Sequence, residues 1–497
     1  MEARLAPRAG SSLKHPPRAH HGHAPHEHDE PPLPHTERPR HRPGEVFPTA
    51  RPRERAVLAA VLIKGDPRAD VEDPLAELEA LASTAEVDCL PERVIQKRDH
   101  PDGATCLGKG AVERLAEQVR EQKVDVVIFD HDLAPRQRRN LEETLKTRVI
   151  DRTELILDIF ARHARTPQAK LQVELAQLEY ELPRLRKLWT HLDTGVGLRA
   201  AGEKQLEVDK RLVRIRIQEL QRELAQVRGR KERELSQRGE TFAVAIVGYT
   251  NAGKSTLMNR LTGAGVYVAD KLFATLDTRT RAWPVGPRRT VLLSDTVGFI
   301  RQLPHHLVES FHATLEEVLT ADLLLHVVDA SDPEALDHVR AVREVLTALG
   351  AQDKPELVVL NKVDQAGREL LPYLERRLVN TLRVSAHTGE GVEGLTERVN
   401  ELARKSERRY RILADVREGA ALAVIEGRAE ILSRDLAEER LVFEVRCWPQ
   451  VIAHARSRAR DPERFQVEEL PEPAPTAEEA GGAGEAREEA SPTVQAS

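Results

Sequence analysis

A glycine-rich segment near the middle of the chain has the residue types of a phosphate-binding loop. The apolar run Phe242–Val247 predicts a buried strand before it, and the residues after it predict a helix. Glycines let backbone N–H groups approach phosphates, and the positive end of the helix adds to the attraction. The nucleotide-binding residues predicted here are Gly248, Tyr249, Thr250, Asn251, Ala252, Gly253, Lys254, Ser255 and Thr256. We expect Lys254 to reach the β- and γ-phosphates and the Ser255 hydroxyl to bind Mg²⁺.

A second segment follows the predicted strand Val291–Ser294 and reads Asp295, Thr296, Val297 and Gly298. Asp295 is expected to hold the magnesium coordination sphere, and the Gly298 N–H to contact the γ-phosphate. The next residues, Phe299 and Ile300, are apolar and cannot orient an attacking water. Intrinsic hydrolysis should therefore be slow until another molecule supplies that role.

Two further segments identify the base. The predicted strand Leu357–Leu360 is followed by Asn361, Lys362, Val363 and Asp364, and the strand Thr381–Val384 by Ser385, Ala386 and His387. The Asp364 carboxylate can accept hydrogen bonds from N1–H and the exocyclic amine of guanine, whereas adenine lacks this donor pair. The backbone of the last segment is expected to meet guanine O6. The order of the four segments, each at a strand's carboxyl end, predicts a guanine-nucleotide site over residues 241–406.

The segment between the first two loops is the expected position of a nucleotide-dependent switch. It reads Leu272, Phe273, Ala274, Thr275, Leu276 and Asp277, and we include all but the first among the nucleotide-binding residues. Thr275 is the predicted second Mg²⁺ ligand beside Ser255, and Lys254, Thr275 and Gly298 are the predicted catalytic residues. Asn251 is similar to the asparagine that helps bind K⁺ in potassium-stimulated GTPases, although an asparagine that stabilises the turn is an equal alternative.

Composition limits the class of protein. The 497 residues suggest several domains, and the three distant cysteines favour neither a disulfide framework nor a thiolate metal site. No run of apolar residues is long enough to span a membrane. We expect a cytoplasmic monomer. Residues 1–52 hold eleven of the thirty prolines and eight of the nineteen histidines, and residues 466–497 hold eight acidic residues and one basic residue. We expect both tails to be disordered, and we assign no metal to the histidines.

The rest of the chain must position the four loops. Residues 53–165 alternate β-rich and helical runs, which predicts a parallel α/β domain. Residues 166–240 carry leucines in steps of three and four, which predicts an antiparallel helical hairpin whose first helix is kinked at Pro183. Its excess of basic residues suits a phosphate backbone or an ordinary charged exterior. Residues 407–465 are assigned to a small C-terminal domain, so the fold class is multidomain α/β.

These residues resemble the HflX family of ribosome-associated GTPases. The resemblance runs from Arg55 to Arg456 and is most specific in VIFDHDLAPRQRRN, RVIDRTELILD, AKLQVELAQLEYELPRL, GYTNAGKSTLMNRLT and LFATLD. It implies an N-terminal α/β domain, a helical hairpin, a GTPase domain and a small C-terminal α/β domain. It also implies GTP-dependent binding to the large ribosomal subunit and its RNA, in ribosome splitting or rescue, stress translation or ribosome biogenesis. The chain departs from the family's glycine-rich loop at residues 195–205, which puts the RNA contact there in question.

Two other classes of function remain open on the residues alone. An RNA-modification or RNA-folding GTPase would share the asparagine of the loop and a helical insert, but no catalytic cysteine or second cofactor motif is found. A scaffold that uses GTP only structurally would carry the same four loops. Nucleotide-dependent association with ribosomal subunits separates these hypotheses.

Overall fold

The structure is a computed structural model of the chain. It describes residues 53–71, 73–185, 199–238, 241–263, 272–273, 279–287, 289–301, 317–437 and 440–471. All of these belong to one compact unit, Arg53–Ser497. The expected tail over residues 1–52 lies outside the described residues, as does the part of the acidic tail after residue 471.

The N-terminal domain is a five-stranded parallel sheet covered on both faces by helices. Alternate residues of its central strand pack on opposite faces, Leu58 against one helix pair and Val57 against the other. Because both faces are buried, this strand is apolar almost throughout. The strands are β1 (Arg55–Ile63), β2 (Asp88–Cys89), β3 (Val94–Arg98), β4 (Val126–Phe129) and β5 (Arg148–Asp151), and the helices are α1 (Ala76–Thr84), α2 (Lys109–Gln122), α3 (Pro135–Leu145) and α4 (Arg152–His163). The predicted parallel α/β fold is confirmed.

Two helices form the predicted hairpin, α5 (Pro167–Glu181) and the much longer α6 (Arg199–Arg238). Leu175, Ile217 and Leu220 form the buried seam between them, as the leucine spacing predicts. The predicted kink at Pro183 is wrong, since α5 ends at Glu181 before the proline is reached. Proline has no N–H to continue the helical hydrogen bonds, so it terminates this helix rather than bending it. Of residues 195–205, those from 199 onward are helical, and the others lie outside the described part.

The central domain is a six-stranded sheet in the order β11-β10-β9-β6-β8-β7. All neighbours are parallel except the edge pair β7 and β8. Its strands are β6 (Ala243–Gly248), β7 (Arg279–Gly286), β8 (Arg289–Asp295), β9 (Leu323–Asp329), β10 (Glu356–Asn361) and β11 (Thr381–Arg383), and its helices are α7 (Lys254–Thr262), α8 (Ala335–Ala348), α9 (Leu370–Arg377) and α10 (Val392–Lys405). The carboxyl ends of β6, β8, β10 and β11 therefore meet at one edge, where the four predicted loops begin.

The C-terminal domain is an antiparallel four-stranded sheet with two helices. Its elements are β12 (Arg408–Asp415), α11 (Gly419–Arg428), β13 (Glu430–Ala437), β14 (Arg440–Cys447), α12 (Pro449–Arg458) and β15 (Phe465–Leu470). The predicted end of this domain at residue 465 is too early, because β15 pairs with β12 as far as Leu470. The acidic residues of β15 resemble those of the acidic tail in composition, so composition places the boundary before them. They belong instead to a half-exposed edge strand, which sequence alone does not distinguish from the tail.

The domains share cores. Trp448 of the C-terminal domain donates its indole N–H to the Ala403 carbonyl of α10 at 3.2 Å and stacks on Phe242. On the other side, residues of α1, α4 and α5 join one apolar cluster with β6, α8 and the residues that follow β8. The N-terminal domain thus packs directly against the loops of the central domain. Across the part of the chain that the structure describes, no helix combines the length and the apolar character needed to cross a membrane.

Candidate functional site

The phosphate-binding loop (P-loop, residues 248–255) connects β6 to α7 and depends on two glycines. A Cβ on Gly248 would lie 2.3 Å from the Val327 carbonyl oxygen, and one on Gly253 would lie 2.3 Å from Asn361 Nδ2. Both glycines also have φ angles that disfavour a side chain, +150° and +92°. The loop therefore packs closely on the neighbouring strands, and α7 begins at Lys254 with its N–H groups toward the loop.

Lys254 is buried and turned back on its own loop. Its Nζ donates to the carbonyl oxygens of Gly248 at 3.1 Å and of Tyr249 at 2.7 Å. Burial lowers the pKa of Lys254 to about 8, although the charge of Asp295 opposes this shift. Carbonyl oxygens are weaker partners for an ammonium group than phosphate oxygens are. The ammonium group thus lies at the loop with two carbonyl partners that an anionic ligand could replace.

Ser255 and Asp295 meet between the P-loop and the end of β8. The Ser255 hydroxyl donates to Asp295 Oδ2 at 2.7 Å, and Asp295 is 1% exposed. A hydroxyl and a carboxylate are hard oxygen donors, which Mg²⁺ prefers, and Mg²⁺ in nucleotide sites takes its remaining ligands from water and phosphate. The two residues present fit this ion. Among the described residues, no group of three or more His, Cys, Asp or Glu side chains is arranged to hold a metal. A magnesium ion at Ser255 and Asp295 would therefore need a bound nucleotide to supply further ligands.

The segment after β8 lies across the P-loop. The Phe299 N–H donates to the Gly248 carbonyl at 3.1 Å, and the Thr250 N–H donates to the Phe299 carbonyl at 2.7 Å. A Cβ on Gly298 would lie 2.9 Å from Thr250 Cα and 3.1 Å from Lys254 Nζ. The structure thus brings Gly298 close to the lysine. Phe299 and Ile300 are buried, at 2% and 1% exposure, so neither side chain is open to solvent.

The predicted base-binding loops are joined by one buried side chain. Asn361, 2% exposed at the end of β10, donates from Nδ2 to the Ala252 carbonyl at 2.8 Å. Its Oδ1 accepts the Ala386 N–H at 3.0 Å, so it ties the P-loop to the segment Ser385–His387. Lys362 Nζ lies 2.6 Å from the carboxylate of Asp329. The P-loop and these two segments therefore form one connected surface.

Asp364 stands at the open side of this surface. A hydrogen bond from the neighbouring Ser385 hydroxyl holds the pKa of the Asp364 carboxyl below its usual range, although desolvation opposes the shift. The group is ionised at neutral pH and can accept hydrogen bonds from a base. Of the other predicted residues, Val363 directly precedes Asp364, and Thr296 follows Asp295 and donates its hydroxyl to the Ile246 carbonyl at 2.7 Å.

The predicted switch segment is only partly described. Phe273 is buried with φ +55°, donates its N–H to Thr250 Oγ1 at 3.1 Å and packs edge-on against Phe160 of α4. The Leu272 N–H donates to Thr84 Oγ1 of α1 at 3.3 Å. The start of the segment is thus anchored in the N-terminal domain. The predicted residues Ala274, Thr275, Leu276 and Asp277 lie outside the described residues, and with them the second predicted Mg²⁺ ligand.

Sequence analysis did not find the link between the P-loop and the N-terminal domain. The Tyr249 hydroxyl donates to Glu77 Oε1 of α1 at 2.6 Å and accepts the Arg301 N–H at 3.0 Å. Arg152, which is buried, donates to the same Glu77 oxygen at 2.8 Å and to the Arg301 carbonyl at 3.3 Å. Tyr249 and Glu77 are 172 positions apart, and no local pattern connects them.

Comparisons with known proteins identify the family of the chain. Residues 72–161 match a family described as GTP-binding GTPase N-terminal, residues 163–238 one described as GTP-binding GTPase middle region, and residues 243–362 one described as 50S ribosome-binding GTPase. The chain is 44% identical over 407 residues to the GTPase HflX of Magnetococcus marinus, covering 80% of this chain and 94% of that protein. It is 46% identical over 359 residues to the GTPase HflX of Escherichia coli, covering 70% and 83%. The chain belongs to the HflX family of GTPases and is itself a GTPase.

Proposed function

We propose that this GTPase is Mg²⁺-dependent and associates with the large ribosomal subunit when GTP is bound, in ribosome splitting or rescue, translation under stress or ribosome biogenesis. The observation that carries the nucleotide part is the meeting of four loops at one edge of the central sheet, joined by Asn361 and closed by the segment around Gly298. The match of residues 243–362 to a 50S ribosome-binding GTPase family supports the partner.

The principal residues of the site have proposed roles. Lys254 leaves its two carbonyl partners and binds the β- and γ-phosphates, while the Gly298 N–H contacts the γ-phosphate. Ser255, Asp295 and Thr275 hold the magnesium ion, which neutralises phosphate charge. Asp364 binds the guanine N1–H and amine, and the backbone of the segment Ser385–His387 binds O6. The set Tyr249 to Ala252 and Thr256 completes the phosphate contacts.

Hydrolysis by the free protein is slow in this proposal. The residue after Gly298 is Phe299, and its ring is buried, so it cannot orient a water. The ribosome therefore supplies or positions the missing group, and hydrolysis releases the protein. Turnover of GTP should rise about tenfold or more when large subunits are added. Full turnover by the isolated protein, with no acceleration by subunits, would contradict the proposal.

Sedimentation with purified ribosomal subunits tests the partner directly. We expect the protein to pellet with large subunits in a non-hydrolysable GTP analogue, and less in GDP or without nucleotide. Lys254→Ala should remove this difference because it removes nucleotide binding. If association is the same in all nucleotide states, the alternatives of an RNA-modification or RNA-folding GTPase or of a nucleotide-dependent scaffold are favoured.

We also propose that K⁺ stimulates the reaction through Asn251, that the protein is a monomer, and that it acts in the cytoplasm. Asn251 has φ +60°, a conformation that asparagine adopts readily in turns. Its purely structural role is thus the competing interpretation. GTP turnover in K⁺ should exceed turnover in Na⁺ at equal ionic strength, and equal rates would leave Asn251 only its role in the turn.

A further inference from the structure

Arg260 lies in the last turn of α7, and its side chain is hydrogen-bonded to the loop that follows β11. Its Nε donates to the Ala386 carbonyl at 3.1 Å, and its Nη2 donates to the His387 carbonyl. The same guanidinium lies against Gly389, where a Cβ would be 3.8 Å from its Cζ and where φ is +96°. One side chain therefore holds two successive carbonyls of the proposed base-binding loop.

Nearly all backbone N–H groups of this loop already donate a hydrogen bond within the protein. The Ser385 N–H donates to the Glu390 carbonyl at 2.9 Å, the Ala386 N–H to Asn361 at 3.0 Å and the Thr388 N–H to Ser385 Oγ at 3.0 Å. The His387 N–H donates to no described residue. Among the backbone N–H groups of Ser385–Thr388, it is thus the one that can donate to a ligand.

Arg260 controls where this donor points. The carbonyl of Ala386 and the N–H of His387 belong to one planar trans peptide unit and point in opposite directions. Because Arg260 holds the carbonyl, it fixes the direction of the N–H on the other side of the unit. The second hydrogen bond, to the His387 carbonyl, prevents rotation of the next unit as well.

We propose that Arg260 is a positioning residue for base recognition, which aims the His387 N–H at guanine O6. This inference rests on the proposed guanine site. It also joins the two ends of the ligand, because α7 begins with Lys254 and Ser255 at the phosphates and ends with Arg260 at the base loop. Lysine should be a poor replacement, because its single ammonium nitrogen does not provide the two separate, coplanar donor atoms, Nε and Nη2, that hold these two carbonyls.

Three diphosphates of different bases test the inference in the full-length protein. GDP and IDP both carry O6, whereas 2-aminopurine riboside diphosphate lacks it and keeps the 2-amino group. Arg260→Ala should weaken GDP and IDP by the same factor, about tenfold, the size expected for a charge-assisted hydrogen-bond arrangement. Binding of 2-aminopurine riboside diphosphate should stay within about twofold. Arg260→Lys should lose most of the same affinity with an unchanged melting temperature, which keeps the test valid if the alanine variant folds poorly.

The control variant is Arg398→Ala. Arg398 is a partly exposed arginine of α10 that pairs only with Glu401 at 2.8 Å among the described residues, so its removal should leave all three affinities unchanged. Equal losses for all three diphosphates would mean that Arg260 acts on α7 and the phosphates, and would overturn the inference, as would no loss at all. Asp364→Asn in the same assay distinguishes failure of the proposed guanine site from failure of the role assigned to Arg260. If it leaves base preference unchanged, the guanine site itself is misassigned; if it changes preference while Arg260→Ala has no effect, only the role of Arg260 is wrong.

Discussion

At the scale of single residues, the site depends on a few polar groups whose surroundings set their charge. Asp364 is held ionised by its neighbour Ser385, whereas Lys254 has its pKa lowered by burial. The two groups lie at opposite ends of the proposed ligand, and each has the charge state that its role needs near neutral pH. Each can therefore be tested by a substitution that changes little besides its hydrogen bonding.

Asp364→Asn should exchange the base preference from guanine to xanthine. The amide can donate to the xanthine 2-oxo group but no longer accepts both guanine donors, so GTP affinity should fall at least about 100-fold while XTP affinity rises. Competition between GTP and XTP for the purified variant measures the change. Asp353→Asn, at an exposed aspartate after α8, should leave the preference unaltered. Undiminished GTP binding by the first variant would remove Asp364 from the site.

Glu356 of β10 gives a prediction for acid stability. Burial alone would raise its pKa, but the hydrogen bond from His326 at 2.6 Å and the Arg343 charge outweigh burial and lower the pKa to about 2. Burial also lowers the pKa of His326, so the neutral ring donates to the carboxylate. A carboxyl whose pKa is lower in the folded state stabilises the fold above its unfolded pKa of about 4.5 and loses that effect as the pH falls toward 2.

Glu356→Gln should therefore lower the free energy of unfolding by roughly 1 kcal/mol at neutral pH. The difference from the wild-type protein should shrink as the pH falls below about 4.5, because the wild-type carboxyl then binds a proton in the unfolded chain while it stays ionised in the folded protein. Urea unfolding at several pH values measures this. A difference that stays constant down to acid pH would show that the carboxylate charge has no part in it.

At the scale of elements, the segment after β8 and the P-loop form one unit through two backbone hydrogen bonds. Gly298 sits where the two approach most closely. This contact is where a γ-phosphate would have to act, since it brings the segment within reach of Lys254. The segment is therefore the element in which the nucleotide state should be expressed.

Gly298→Ala should impair GTP hydrolysis while leaving GDP binding nearly unchanged. Its methyl group would meet Thr250 Cα at 2.9 Å, so the segment must move off the P-loop. We expect GDP affinity to change by no more than about threefold, while hydrolysis falls at least about tenfold. Fluorescent-nucleotide titrations and phosphate release measure both quantities. Gly367→Ala, where the added carbon meets nothing within 4 Å, is the matched control. Normal hydrolysis by Gly298→Ala would contradict the assigned role.

At the scale of the whole molecule, the N-terminal domain is fastened to the nucleotide loops. Apolar residues of α1, α4 and α5 share a core with the central domain, and Phe160 packs against Phe273. The Tyr249 hydroxyl, which donates to Glu77 and accepts the Arg301 N–H, adds directional hydrogen bonds to this apolar contact. Movement of the loops should therefore displace residues of the N-terminal domain, because packed interfaces do not deform continuously.

Tyr249→Phe should loosen this interface without changing its packing volume. Loss of the hydroxyl removes the hydrogen bond to Glu77 and leaves the Arg301 N–H without its acceptor, which should cost about 1–3 kcal/mol. Chemical denaturation gives the stability, and hydrogen exchange in α1 should become faster. The exposed Tyr373 supplies the control, Tyr373→Phe, for which no change is expected. Unchanged exchange in α1 of Tyr249→Phe would show that the hydroxyl does not hold the domains together.

The sequence by itself determined the order of the elements and the four loops. Periodicity predicted the parallel sheet around β1 and the helical hairpin, and the residues after β6, β8 and β10 predicted the site, because strand, turn and ligand chemistry are local properties. It misjudged Pro183 and the end of the C-terminal domain, where a helix boundary and an edge strand depend on what packs beside them.

Only the tertiary structure decided which distant residues support the site. Tyr249 meets Glu77 across 172 positions, and Arg260 meets Ala386 and His387 across 126 and 127. Glutamate and arginine are common on exposed surfaces, so their types carry no signal of these roles. The contacts arise because the packing of α1 on the P-loop and of α7 beside β11 brings these side chains within hydrogen-bond distance, and such packing is a property of the folded whole.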